Sequence, residues 1–188
     1  AIAQSFPDWL VRRWIARFGH EEAARLCTAM NEIPPVTVRT NTLKTGRETL
    51  KSGLAQACER VEATPYAPYG LCFYGPDRPI DQLDAFQNGW FQVQDEAAQL
   101  VTLLLSPQPG DKVLDACAGM GGKTGHIGEL MNNRGDILAV DKDHRKLAKL
   151  ESEMKRLGIS ICQTSGMDLD GPAELSLPDD FDRILLDA

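Results

Sequence analysis

Residues 111–130 constrain the fold more than any other part of the sequence. They read Asp-Lys-Val-Leu-Asp-Ala-Cys-Ala-Gly-Met-Gly-Gly-Lys-Thr-Gly-His-Ile-Gly-Glu-Leu. A short apolar run ends in an acid, small residues and glycines follow, and apolar residues then recur at helical spacing, which predicts a strand, a tight turn and a helix. Glycines let another molecule approach the backbone closely, and the unpaired N–H groups of the helix start face the same space. The stretch therefore predicts a site for a nucleotide-like ligand.

Three ligand classes compete for this loop, and spacing separates them in part. A phosphate-binding P-loop requires G-x-x-x-x-G-K-[ST], but Cys117 stands where the first glycine belongs. A dinucleotide fingerprint requires G-x-G-x-x-G, and Thr124 replaces its third glycine. The third ligand is S-adenosylmethionine, whose ribose calls for an acid after the next strand. Asp141 ends that strand, but an NAD site uses the same acid, so Asp141 supports both.

Composition indicates an ordinary globular protein. Hydrophobic residues make up 43% and charged residues 25% of the 188 positions. The chain has no run of eighteen apolar residues and no basic, apolar leader, so we expect a cytoplasmic protein with no membrane partner. Its five cysteines and three histidines lack the spacing of a disulfide framework or a metal site, so we expect reduced thiols and no metal.

Charge is distributed unevenly along the chain. The net charge is −7, but residues 1–60 carry 9 Lys+Arg against 6 Asp+Glu, whereas residues 61–188 carry 11 against 21. A basic front half and an acidic remainder are compatible with RNA binding by the first and cofactor chemistry in the second. Four arginines fall in the predicted N-terminal helices, where a solvated helix face is the simpler explanation: Arg12, Arg13, Arg17 and Arg25.

The first half of the chain predicts a small α+β subdomain. Residues 7–31 have the spacing of two helices separated by Gly19, and residues 36–41 alternate like a strand. Thr45 and Glu48 have the spacing of a capping box for a helix that runs to Cys58. Short strand-like pieces follow at residues 70–74 and 89–93. This order is that of a ferredoxin-like or RNA-recognition fold.

The second half alternates strands and helices. We predict a helix from residue 94 or 95 to 104, followed by strands and helices in alternation: strand 112–116, helix 122–131, strand 136–141, helix 143–157, strand 159–163 and strand 181–188. Apolar strands that alternate with helices indicate a parallel, doubly wound sheet with its site at the carboxyl ends of the strands. Asp115, Asp141 and Asp187 fall at such ends. An apolar last strand leaves an open sheet edge, so we expect a Rossmann-like sheet truncated after its fourth strand.

Several motifs together resemble the Sun-type, or Fmu-type, RNA cytosine-5 methyltransferases. The similarity spans nearly the whole chain and rests on five segments: Phe6–Leu10, Arg39–Lys44, Gly89–Gln99, Cys117–Thr124 and Phe181–Ala188. The V-Q-D-E-A run and the C-A-x-x-G-G-K-T loop are specific as a pair. Gly119 and Met120 depart from the alanine and proline that the family usually has.

The resemblance implies a function and a set of site residues. It implies S-adenosylmethionine as cofactor, small-subunit ribosomal RNA as partner, and a monomeric enzyme that methylates carbon 5 of a cytosine. A cysteine thiolate attacks carbon 6 in such enzymes. That nucleophile is expected beyond Ala188, so no catalytic residue is expected in this chain. The implied cofactor residues are Cys117, Ala118, Gly119, Met120, Gly121, Gly122 and Lys123 around the methionine part, Asp141 at the ribose, Asp168 near the adenine, and Asp187 facing cofactor and base.

The predicted domains are residues 1–92, an RNA-binding part with helices and the ferredoxin-like subdomain, and residues 93–188, the first part of a methyltransferase domain. Two other functions stay open on the residues alone. One is an RNA-binding module in which the nucleotide fold is only scaffold. The other is an NAD-dependent oxidoreductase, which the threonine in the fingerprint disfavours.

Overall fold

The computed structural model describes residues 5–169, 171, 177–178 and 180–187, which form two compact units, residues 1–35 and 36–188. The first unit contains helix α1 (Asp8–Ala29). Gly19 has φ 82° and ψ 170° inside it, so the backbone leaves the helical conformation there, which confirms the predicted break between two helices. Arg12, Arg13 and Arg17 are exposed, while Arg25 pairs with acids of its own helix.

The second unit begins with a four-stranded antiparallel sheet. Its elements are β1 (Val36–Thr40), α2 (Arg47–Leu54), β2 (Cys58–Ala63), β3 (Gly70–Pro76), α3 (Asp84–Gln87) and β4 (Phe91–Val93). The strand order is β2-β3-β1-β4 and the chain order is βαββαβ, which together define a ferredoxin-like fold. One apolar cluster fills its core, and Val38, Leu50, Phe73 and Phe91 are fully buried in it. The predicted α+β subdomain is confirmed.

A parallel sheet follows. Its elements are α4 (Glu96–Leu105), β5 (Lys112–Asp115), α5 (Gly122–Leu130), β6 (Asp136–Asp141), α6 (His144–Leu157), β7 (Cys162–Gly166) and β8 (Arg183–Leu185). The strand order is β7-β6-β5-β8, and all three described pairs are parallel. The predicted Rossmann-like sheet is therefore confirmed, with β8 at one edge of its described part. The predicted boundary between residues 92 and 93 falls inside β4, before its last residue.

Three local predictions were wrong. Thr45 does not cap α2, because the helix begins at Arg47 after Gly46 and has no side-chain cap. Cys58 is not helical, because residues 58–63 pair with β3 and that tertiary pairing outweighs helical spacing. The strand predicted at 159–163 lies at 162–166, because Ile159 packs on α6.

The last strand is shorter than its apolar run. The sequence predicted a strand over 181–188, and the structure has β8 over Arg183–Leu185, while Ala188 lies outside the described residues. Across the described part of the chain, no helix combines the length and apolar character needed to span a membrane.

Polar side chains join the ferredoxin-like sheet to the parallel-sheet layer. The Asn41 amide donates to the carbonyls of Gly89 and Leu157, both at 2.8 Å. The Lys44 ammonium donates to the carbonyls of Asn88 at 3.0 Å and Arg156 at 2.7 Å. Asn41 is fully buried, so its amide depends on these protein partners for its hydrogen bonds. Both residues belong to the Arg39–Lys44 segment that the resemblance singled out.

Candidate functional site

The glycine loop joins β5 to α5 at the carboxyl edge of the parallel sheet. Two main-chain hydrogen bonds fix it to the flanking strands: Ala116 N–H donates to Leu185 O and Ala118 N–H donates to Val140 O, each at 2.9 Å. The loop is thus continuous with the sheet on both sides. This position is the one at which parallel α/β sheets bind their ligands.

Two glycines of the loop have positive φ for different reasons. At Gly121, with φ +87°, an added Cβ would lie 2.7 Å from the Leu150 side chain, so this glycine allows α6 to pack against the loop. At Gly119, with φ +57°, an added Cβ would meet no described atom within 4 Å. The Gly119 backbone is therefore open on its outer side, where a ligand can approach it.

A cavity of about 460 Å³ lies beside the loop at the strand ends, and we call it the strand-end cavity. It is lined by Ala116, Cys117, Gly119, Asp141, Lys142, Lys146, Met167, Asp168, Leu169, Leu186 and Asp187. The structure therefore brings together five residues that the sequence predicted from four separate segments. Two lysines in the lining, Lys142 and Lys146, were not predicted, because exposed lysines at a helix start have no distinctive spacing.

The Asp141 carboxylate is held in a fixed orientation. One oxygen accepts the Gly119 N–H at 2.9 Å and the other accepts the Asp143 N–H at 2.8 Å. Partial burial raises the pKa of Asp141, but these two amide bonds, with Lys146 and Lys142, outweigh it and hold the pKa below its usual value. Each oxygen keeps a further lone pair, so an ionised Asp141 can accept hydrogen bonds from a pair of hydroxyls in the cavity.

Four further predicted loop residues line a second cavity of about 330 Å³, the loop cavity, on the side of β4 and α4, whereas Gly121 packs against α6. Ala118, Met120, Gly122 and Lys123 lie there, together with Cys117 and Gly119, which line both cavities. The Lys123 ammonium forms an ion pair with Asp187. This pair joins the start of α5 to the segment that follows β8, between the two cavities.

Asp115 lies under the loop and is 2% exposed. Burial raises its pKa to about 6, against the hydrogen bond from the Thr124 hydroxyl at 2.7 Å and the charge of Lys123. A folded-state pKa above the unfolded value means that the protonated group stabilises the fold at low pH. That contribution is complete below about pH 4 and is lost as pH rises through about 6.

We expect Asp115→Asn to raise the free energy of unfolding at pH 8 by about 2 kcal/mol, because asparagine carries no buried charge and can still accept the Thr124 hydrogen bond. At pH 4 the gain should nearly vanish. Urea denaturation at both pH values measures it. The matched control is Asp136→Asn at the exposed start of β6, which should change stability little at either pH. An equal gain at both pH values would contradict the assignment.

The parallel sheet, the glycine loop after β5 and the acid that ends β6 define a Rossmann-like fold of the S-adenosylmethionine-dependent methyltransferase class. Family comparison is more specific. Residues 102–188 match the family described as 16S rRNA methyltransferase RsmB/F, and residues 6–80 match its RsmF/B-like, ferredoxin-like domain. The two models together match most of the chain, which confirms the resemblance to this family drawn from its motifs.

Individual proteins that are similar to this chain have names that match the family description. A probable ribosomal RNA small subunit methyltransferase B of Synechocystis sp. is 39% identical over 97% of this chain, and one of Bacillus subtilis is 35% identical over all of it. The chain spans 41% and 42% of these two relatives. The crystal structure of NSun6 from Pyrococcus horikoshii with SFG has a TM-score of 0.79, at 24% identity, over 98% of this chain and 71% of its own. This last likeness supports the fold.

Proposed function

We propose that the chain carries the cofactor-binding half of an S-adenosylmethionine-dependent enzyme that methylates carbon 5 of a cytosine in small-subunit ribosomal RNA. The observation that carries the proposal is the strand-end cavity, where the open backbone of Gly119 faces the same space as Asp141, Asp168 and Asp187. The match to the family favours S-adenosylmethionine over NAD for this space. The choice of RNA as the substrate rests on the relatives, whose names specify the ribosomal small subunit.

The chemistry of the lining residues fits the proposed cofactor. When bound, S-adenosylmethionine supplies a methyl group on a positively charged sulfur. Asp141, held in place by two amides, would accept the ribose hydroxyls. Asp168 lies further along the same lining and would face the adenine, and Asp187 would lie nearest the transferred group, beside Lys123. The loop from Cys117 to Lys123 would surround the methionine part.

Methylation at carbon 5 requires a thiolate nucleophile, and the surroundings of three of the five thiols disfavour the thiolate form. Burial raises the pKa of Cys162 to about 12, helped by Asp115 and Glu151. Burial also raises the pKa values of Cys58 and Cys72, with smaller contributions from nearby acids. Cys117 belongs to the glycine loop. We therefore propose that the nucleophile lies beyond Ala188, as the resemblance implies.

The cofactor part of the proposal is tested by Asp141→Ala. We expect the variant to bind S-adenosylhomocysteine about 10- to 100-fold more weakly than the unmodified protein, because one or two hydrogen bonds to a charged acceptor are lost. Isothermal titration calorimetry of the purified protein measures this affinity. Asp136→Ala is the control, since Asp136 lies at the opposite end of the same strand. Binding of NAD in preference to S-adenosylhomocysteine would refute the proposal.

A further inference from the structure

Arg39 of β1 is completely buried and uses every N–H of its guanidinium. Its partners come from β4 and the residue that follows it, from the start of α5 and from the end of α5. Nε donates to Glu129 Oε2 at 3.0 Å, Nη2 donates to Glu129 Oε1 at 2.8 Å and to Gln92 Oε1 at 3.1 Å, and Nη1 donates to the Gly122 carbonyl at 2.8 Å and to Gln94 Oε1. A guanidinium has five donors, so Arg39 has none left over.

Two of these partners are the two ends of one helix. Gly122 is the first residue of α5 and directly follows the glycine loop, while Glu129 lies seven residues later, about 10 Å along the axis. The guanidinium is planar and rigid, so it fixes both contacts in one geometry. Arg39 thereby sets the axial position and rotation of α5 relative to the ferredoxin-like sheet. Because α5 begins where the glycine loop ends, Arg39 also fixes the position of the last loop residue.

The neighbouring polar residues of the same segment do not reach the loop. Asn41 donates to Gly89 and Leu157, and Lys44 to Asn88 and Arg156, so both attach the sheet to the end of α6. Arg39 differs because one of its acceptors, the Gly122 carbonyl, borders the loop cavity. The segment therefore contains one residue that contacts the start of α5 and two that contact the end of α6.

We propose that Arg39, although it belongs to the ferredoxin-like sheet, is a positioning residue for the cofactor loop. It holds Gly122 so that the amides of the loop keep the spacing that the cofactor needs. The inference rests on the proposed function, because it takes the loop to be the cofactor site. It makes the ferredoxin-like sheet part of the cofactor-binding apparatus in addition to any contact with RNA.

Arg39→Lys tests the inference, because lysine keeps the buried charge beside Glu129 but cannot span five acceptors. We expect S-adenosylhomocysteine to bind about tenfold more weakly, as expected for loss of a charge-assisted hydrogen bond to the loop exit. The control is Asn41→Ala, which breaks the same sheet's attachment to α6. It should lower the denaturation midpoint yet leave affinity within about twofold, because independent sites do not couple. Equal weakening in both variants would overturn the inference.

Glu129→Asp provides a second variant should Arg39→Lys fail to fold. The shorter carboxylate draws the guanidinium away from Gly122, so affinity should fall although residue 129 is remote from the loop. Hydrogen exchange in the unliganded protein gives a readout that needs no cofactor. Amides of residues 119–123 should exchange faster in Arg39→Lys and in Glu129→Asp but not in Asn41→Ala. Unchanged loop exchange in both Arg39→Lys and Glu129→Asp would overturn the inference.

The two proposals fail in different ways. If the unmodified protein binds neither S-adenosylhomocysteine nor S-adenosylmethionine, the proposed function is wrong, whatever the exchange data show. If the unmodified protein binds the cofactor and Arg39→Lys binds it equally well, the function stands and the role assigned to Arg39 is wrong.

Discussion

Replacing Gly89 by alanine is expected to lower the free energy of unfolding by about 3 to 5 kcal/mol, from backbone strain plus overpacking. Gly89 has φ +68°, and an added Cβ would lie 2.9 Å from the carbonyl carbon of Arg156 and closer still to its oxygen. These atoms of Arg156 belong to the main chain, so a change of side-chain rotamer cannot relieve the clash. The end of α6 and the segment before β4 would have to separate, which weakens the Asn41 and Lys44 hydrogen bonds.

Gly110→Ala is the matched control for this prediction. Gly110 also has positive φ, +101°, but an added Cβ there would meet no described atom within 4 Å. Its replacement should therefore show the backbone strain alone, about 1 to 2 kcal/mol. Urea denaturation of both variants separates the cost of backbone strain from the cost of the steric contact with Arg156. Equal losses at the two positions would show that the contact between residues 89 and 156 is looser than described.

Glu129→Gln is expected to destabilise the protein by about 3 to 5 kcal/mol, because it leaves the buried Arg39 guanidinium without its counter-charge. Glu129 is 2% exposed and Arg39 is fully buried, so water cannot replace the lost partner. Burial raises the pKa of Glu129, while the charge and hydrogen bonds of Arg39 lower it, and burial prevails. Denaturant titration at pH 8 measures the loss.

The control is an ion pair of the same unit that is open to solvent. Arg60 and Glu62 on β2 lie 3.5 Å apart with about half of each side chain exposed. Glu62→Gln should change stability by about 0 to 1 kcal/mol, since water screens an exposed pair. A loss below about 1 kcal/mol for Glu129→Gln as well would mean that the buried pair contributes no more than a surface pair.

Much of the fold was predictable because its signals are local. The glycine loop, the strand at 136–141 and the helix that ends before Gly158 each follow from spacing within a dozen residues, and the structure has them there. At residues 58–63, where the prediction was wrong, a contact outside the segment decided the outcome. Residues 58–63 become a strand because β3 pairs with them.

The candidate site also has a part that the sequence located and a part that only the structure located. The acids at the strand ends could be found because parallel strands bring their carboxyl ends to one edge, so Asp141 and Asp187 were predicted to lie beside the loop. Met120 and Lys123 were assigned to the same cofactor loop, and they line the loop cavity, whereas Cys117 and Gly119 line both cavities. The direction of a loop residue depends on its φ and ψ, which sequence spacing does not specify.

The sequence by itself determined the alternation of strands and helices from residue 112 onward, the glycine-rich turn after β5, and the motifs that resemble the methyltransferase family, because each is written in residues close together along the chain. Only the tertiary structure decided that Gly121 packs against α6, that Lys123 pairs with Asp187, and that Arg39 meets Glu129 ninety residues away. The physical reason is that burial and ion pairing depend on which elements pack together. A buried arginine has no sequence pattern that distinguishes it from an exposed one until its partners are in place.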